Sequence, residues 1–167
     1  MLIKNRLAHV VPLALGAAAV VTAAAYMLIA SASDSLAQHT PSATPEAVLE
    51  NLETYLNTND MDGILSLFDE DGMVIFQPSG EGQTGLASVE AGFQGFLDLG
   101  GTADINVRRV YQVGDTALVL VDWTFSGTDS EGNDFAFGAA ATDVLKQADD
   151  GAWYYLIDNA FGTTPAQ

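Results

Sequence analysis

The chain has 167 residues, no cysteine, two histidines, and 22 acidic against five basic residues, for a formal net charge of -17. Without cysteine there is no disulfide framework, thiol nucleophile or thiolate metal site, and so anionic a chain repels phosphate backbones, which excludes nucleic-acid binding. The length allows one domain plus a short appendage, and the apolar half of the composition suffices for an ordinary core.

Residues 1–37 read as a targeting segment. Lys4 and Arg6 form a positive start, and Leu7 to Ala30 is an apolar run broken only by His9, Pro12, Gly16 and Thr22. Two small-residue cleavage patterns follow, Ala30-Ser31-Ala32 and Ser35-Leu36-Ala37. Two outcomes stay open: a cleaved signal peptide, giving a periplasmic or secreted protein that begins near Gln38, or an uncleaved membrane anchor. The run is nearly long enough to span a bilayer, although alanine makes it only weakly hydrophobic. Both put the domain outside the cytoplasm, with membrane contact only through an uncleaved N-terminal segment. Residues 38–43 follow as a linker, 44–163 as the domain and 164–167 as a tail. The histidines, His9 and His39, fall in the leader and just after it, so the domain is expected to contain none. A histidine general base, a transition-metal site and a cofactor are therefore not expected.

Thr44-Pro45 announces the first helix, a capping hydroxyl followed by proline at the first helical position. Val48, Leu52, Tyr55 and Leu56 then share one face. Asn59-Asp60 stops this helix and caps a second, with Met61, Ile64, Leu65 and Phe68 at helical spacing. Asp69-Glu70-Asp71-Gly72 reads as a turn, Met73 to Gln77 as a short strand, and Pro78-Ser79-Gly80 as its end. A third helix is predicted from about Leu86 to Leu99, with Val89, Phe93, Phe96 and Leu97 on one side. Gly92 and Gly95 within it leave room for another backbone, and Gly100-Gly101 closes it. The period then changes to that of strands, at about 103–113, 116–127, 134–147 and 152–160. This order predicts an α+β fold with helices on one face of a largely antiparallel sheet.

Several landmarks then carry a resemblance. The paired-helix opening Leu56-Asn57-Thr58-Asn59-Asp60-Met61-Asp62-Gly63-Ile64-Leu65-Ser66-Leu67-Phe68 is followed by Thr84-Gly85, Gly114-Asp115-Thr116-Ala117, Thr142-Asp143-Val144, Asp150-Gly151-Ala152-Trp153 and Asp158-Asn159-Ala160-Phe161-Gly162. Together they resemble the ketosteroid isomerase and SnoaL-like branch of the nuclear transport factor 2-like superfamily, over essentially all of residues 45–162. The resemblance implies a cone-shaped, curved antiparallel sheet packed on three helices (a cystatin-like arrangement) and a deep, mostly apolar pocket; a homodimer through the outer sheet face is expected alongside.

Isomerases of this fold use a strand carboxylate as base, with a tyrosine and a protonated aspartic acid as oxyanion donors; the protonated carboxyl of ketosteroid isomerase is a standard worked example. The resemblance places the base position on Phe76 and the tyrosine position near Leu52, and retains only the aspartate, as Asp143. Steroid isomerisation is therefore not expected. What remains is a non-catalytic pocket for a small, largely apolar molecule. The alternative is a small-substrate isomerase, lyase or hydrolase with Asp143 as acid. Tyr55, Phe76, Phe93, Phe96, Trp123, Ile157 and Asn159 are the expected lining. A type I turn with a Gly151 bulge pairs Asp143 with Ile157 on the inner face; without the bulge, Asp143 joins Asp158 outside. Asp122 and Asp158 are expected on the outer face. Arg108 and Arg109 are expected to face opposite sides of their strand, the inward one available to a carboxylate.

Overall fold

Residues 39–76 and 80–162 are described here, from a computed structural model of the chain. The leader at 1–37, the tail at 164–167 and the predicted strand end at 77–79 lie outside the described residues. Nine elements follow in order: α1 (Pro45–Thr58), α2 (Met61–Leu65), β1 (Phe68–Val74), β2 (Gln83–Thr84), α3 (Leu86–Leu99), β3 (Thr102–Val113), β4 (Thr116–Thr128), β5 (Asp134–Gln147) and β6 (Trp153–Asp158). Among the described residues no helix is long and apolar enough to cross a membrane.

The helix ends follow from their capping chemistry. The Thr44 hydroxyl accepts a hydrogen bond from the Ala47 amide at 3.2 Å, with Pro45 in the first turn, where its missing N–H costs nothing. Asn59 ends α1 in the left-handed conformation at φ 58°, a role asparagine fills more readily than other side chains. Asp60 then caps α2, accepting from the Gly63 amide at 2.8 Å.

The six strands form one curved sheet in the order β2-β1-β6-β5-β4-β3. All neighbours are antiparallel except β1 and β6, which run parallel, so the sheet is mixed. Asp69-Glu70-Asp71-Gly72 is not a turn but the middle of β1, where the register against β6 slips between Phe68 and Met73. The two-residue β2 carries no periodic pattern of its own and exists as a partner for Met73 and Val74.

On one face of the sheet sit the helices. α1 does more than bury Val48, Leu49, Leu52 and Leu56. It also satisfies the edge strand β3: Asn57 Nδ2 donates to the Ala103 carbonyl at 3.0 Å, the Ala103 amide donates to Asn57 Oδ1 at 2.7 Å, and the Ile105 amide donates to Glu53 Oε2 at 2.9 Å. A sheet edge otherwise presents unpaired backbone groups, and here side chains take them up.

Three expectations are corrected at this level. Arg108 is the extra residue of a bulge, since Val107 pairs with Val121 and Arg109 with Leu120. The bulge breaks strand alternation, so both arginines are exposed, and Arg108 pairs on the surface with Asp122 at 3.0 Å. The segment predicted as a linker is docked from His39 onward: the Trp153 amide donates to the Ser42 carbonyl at 2.8 Å, and Ser42 is buried. His39 lies 3.1 Å from Asp60 Oδ2 and edge-on to Tyr55, so a histidine does belong to the folded part.

Candidate functional site

The site is a cavity between the helices and the concave face of the sheet. Its walls come from Leu49, Leu52 and Leu56 of α1, Phe93 and Phe96 of α3, and inward residues of β3 to β6, with Phe76 following β1. The space left for the centre of a water-sized sphere is about 50 Å³. One water needs roughly 10–15 Å³ on that measure, so the cavity takes a few waters or one small molecule. The deep pocket implied by the resemblance is largely filled, because Phe76, Phe93, Phe96 and Phe125 all point into it.

Aromatic contacts organise this filling. Phe76 meets Phe93 edge-on at 4.9 Å, and Phe96 meets Phe125 at 5.3 Å and Trp123 at 5.9 Å, all in the T-shaped geometry that aromatic quadrupoles favour. The cluster continues through Phe137, which is exposed. Trp123 is fixed in place because its indole N–H donates to the Ala160 carbonyl at 2.7 Å. Gly92 has a specific role, though not the predicted one: the Phe76 ring, rather than a backbone, lies where a Cβ would be. Gly95 faces open space.

The ionisable carboxyl groups of the lining meet at one end, and the remaining polar residues of the wall are Thr124 and Tyr155. The Asp149-Asp150-Gly151 loop, with Gly151 at φ 88°, sets the predicted register, and Leu145 pairs with Tyr155. A second bulge then intervenes at Leu156, so that Val144 pairs with Ile157. The next step of that ladder sets Asp143 beside Asp158. The bulge flips the parity of β6 after Tyr155, and this turns Asp158 inward. Asp143 is 2% exposed and Asp158 5% exposed, and both line the cavity.

Only one hydrogen bond from the described residues reaches either carboxyl group: the Asn159 amide donates to Asp143 Oδ1 at 3.1 Å. Burial, reinforced by the neighbouring Asp158, pushes Asp143 well above the usual carboxylate range, against the pull of that amide. Burial likewise raises Asp158, to about 7. The Tyr155 hydroxyl is pushed well up by its own burial and then by the two carboxyls. Two like charges this close in a dry site ionise with difficulty together, so the pair holds a proton to a higher pH than either would alone.

Sequence comparison now fixes the family. The SnoaL-like domain family matches residues 48–156. This chain belongs to the SnoaL-like domain family. A search of curated proteins gave no match. Among solved structures, similarity to this SnoaL-like chain is found in a Xanthomonas campestris protein assigned to the calcium/calmodulin-dependent protein kinase II association domains, with 24% identity and a TM-score of 0.61 over 70% of this chain and 84% of that one. A ketosteroid isomerase-like protein from Erwinia carotovora atroseptica is 18% identical, with a TM-score of 0.59 over 68% of this chain and 88% of that one. A nuclear transport factor 2-like superfamily protein from Salmonella enterica is 14% identical, with a TM-score of 0.59 over 72% and 87%. At these identities the likeness shows the fold, a nuclear transport factor 2-like α+β cone.

Within this SnoaL-like domain the expected site residues divide. Asp143, Phe76, Phe93, Phe96 and Trp123 line the cavity. Tyr55 does not: its ring packs over Gly63, where a Cβ would come within 2.7 Å, and against His39. Ile157 is turned off the cavity by the Leu156 bulge. Asn159 acts from behind, bonding Asp143 through its backbone while its side chain donates to the Gly162 carbonyl at 3.1 Å. Asp158, expected outside, is the residue the sequence reading missed. Its signal was a lone carboxylate closing an otherwise apolar run, Trp153 to Asp158.

Proposed function

We propose that this SnoaL-like domain binds a small, largely apolar molecule in the cavity between α1, α3 and the sheet, and does so without turning it over. The observation that carries this reading is the make-up of the cavity: hydrocarbon and aromatic walls with few polar groups, two of them carboxyls set together, the usual build of a small-molecule site. Among the described residues, none that lines it is a histidine, lysine, arginine or serine. Ethylbenzene titrated into the full chain, followed by NMR shifts of the Trp123 indole N–H, tests it. Saturable shifts are expected, and their absence overturns the reading.

A second reading is favoured by Asp158. An isomerase, lyase or hydrolase using Asp143 as acid lacked a partner group in the sequence, and Asp158 is a carboxyl in the right place to be one. Conversion of a bound carbonyl compound that disappears in Asp143→Asn would establish turnover; recovery of every bound compound unchanged would leave binding alone.

The leader carries the proposal of export. Intact mass of the extracytoplasmic protein should correspond to a chain beginning at Gln38; a full-length mass in the membrane fraction would mean an anchor instead. The homodimer proposal gains support from Tyr111, Val113 and Leu118, exposed apolar residues at one end of β3 and β4, and sedimentation velocity reads it directly.

A further inference from the structure

Two carboxyl groups line one apolar cavity, and from the described residues a single hydrogen bond, donated by the Asn159 amide to Asp143, reaches the pair. Asp158 is the sharper case: its side chain is almost fully buried, it faces the cavity, and no donor among the described residues reaches it. Isolated buried carboxylates are costly unless paired or well hydrogen-bonded. The three basic side chains of the described residues offer no relief, since Arg108, Arg109 and Lys146 are all exposed. Among the described residues, nothing further completes this end of the cavity.

We propose that the ligand of this cavity carries a protonated amine on a small apolar body, with the ammonium between Asp143 and Asp158 and the body against the aromatic wall. This deepens the pocket reading above and rests on it. An ammonium offers three N–H donors to a pair of carboxyl groups that receives one hydrogen bond from the described residues. Its charge is also drawn to aromatic ring faces, and Phe93, Phe96 and Trp123 surround the remainder of the space. A hard divalent cation fits less well, because it needs about six oxygen ligands and the rest of the wall is almost entirely hydrocarbon. An anionic ligand would add a third negative group to the pair. The net charge of -17 further concentrates cations around the molecule.

Three single-ring probes of similar shape test this at pH 8 on the full chain: benzylammonium, benzyl alcohol and ethylbenzene. Benzylammonium should bind at least tenfold tighter than benzyl alcohol, and the preference should vanish in Asp158→Asn while ethylbenzene affinity is kept. The wild-type protein gives the same answer without a variant, because the preference should shrink between pH 8 and pH 5 as the pair takes up protons. Among the described residues, the titratable groups lining the cavity are Asp143 of β5 and Asp158 and Tyr155 of β6; Glu53 of α1 is held by the amide of Ile105, a wall residue. Equal binding of benzylammonium and benzyl alcohol overturns the amine proposal and leaves the pocket standing. Failure of all three probes overturns both.

Discussion

At the scale of single residues, two glycines of α3 give opposite expectations from the same substitution. A Cβ on Gly92 would occupy the space of the Phe76 ring, so Gly92→Ala must displace that ring into the cavity or outward. The helical gain of up to about 1 kcal/mol is then outweighed by overpacking, typically roughly 1–3 kcal/mol. A Cβ on Gly95 meets nothing, so Gly95→Ala keeps the gain and should stabilise by up to about 1 kcal/mol. Urea denaturation of the two variants checks both signs. If Gly92→Ala matches Gly95→Ala, the Phe76 ring is not held where it is described.

At the scale of elements, the sequence was legible wherever local chemistry decides the structure. The α3 boundaries at Leu86 and Leu99, the α1 cap at Thr44 and the handover at Asn59-Asp60 follow from glycine, proline and capping side chains a few residues apart. Thr44→Ala should accordingly cost about 1 kcal/mol in thermal or chemical unfolding, with Thr44→Ser close to wild type. What could not be read were the bulges at Arg108 and Leu156. A bulge is a mismatch between two strands, so neither strand shows it alone, yet each reverses the inside-outside pattern beyond it. One bulge put both arginines in solvent. The other brought Asp158 into the site and turned Ile157 out of it. The aromatic side of the cavity was thus visible in the sequence, because Phe93, Phe96 and Trp123 lie in regular elements, whereas half of its polar end was not. The pairing of Asn57 with Ala103, 46 residues apart, was equally hidden, since nothing near Asn57 marks it as anything but a surface amide.

For the whole molecule, the buried pair sets an unusual dependence of stability on pH. An unfolded aspartate titrates near the ordinary 3.8, whereas Asp158 in the fold titrates at about 7 and Asp143 is also raised well above the ordinary value. Between these limits the native state binds more protons than the unfolded chain, so stability falls as pH rises. The contribution is complete below the unfolded value and is lost as pH climbs through about 7, at roughly 1.4 kcal/mol for each pH unit that separates the folded from the unfolded titration. Asp60, lowered by the Gly63 amide, works in the opposite sense, but its loss begins only as pH drops below the ordinary 3.8, outside this window. Repulsion among the many surface carboxylates also eases on acidification, which adds to the same trend without depending on Asp158. The variant separates the two. Melting temperature of the wild type should rise from pH 8 to pH 5, and Asp158→Asn should melt higher than wild type at pH 8, with a shallower pH slope. Calorimetric scans of both proteins across that range decide it, and identical slopes would mean that Asp158 is ionised in the fold without penalty. The same substitution is expected to abolish the preference for an amine, so the carboxylate that weakens the empty domain at neutral pH is the one its ligand uses.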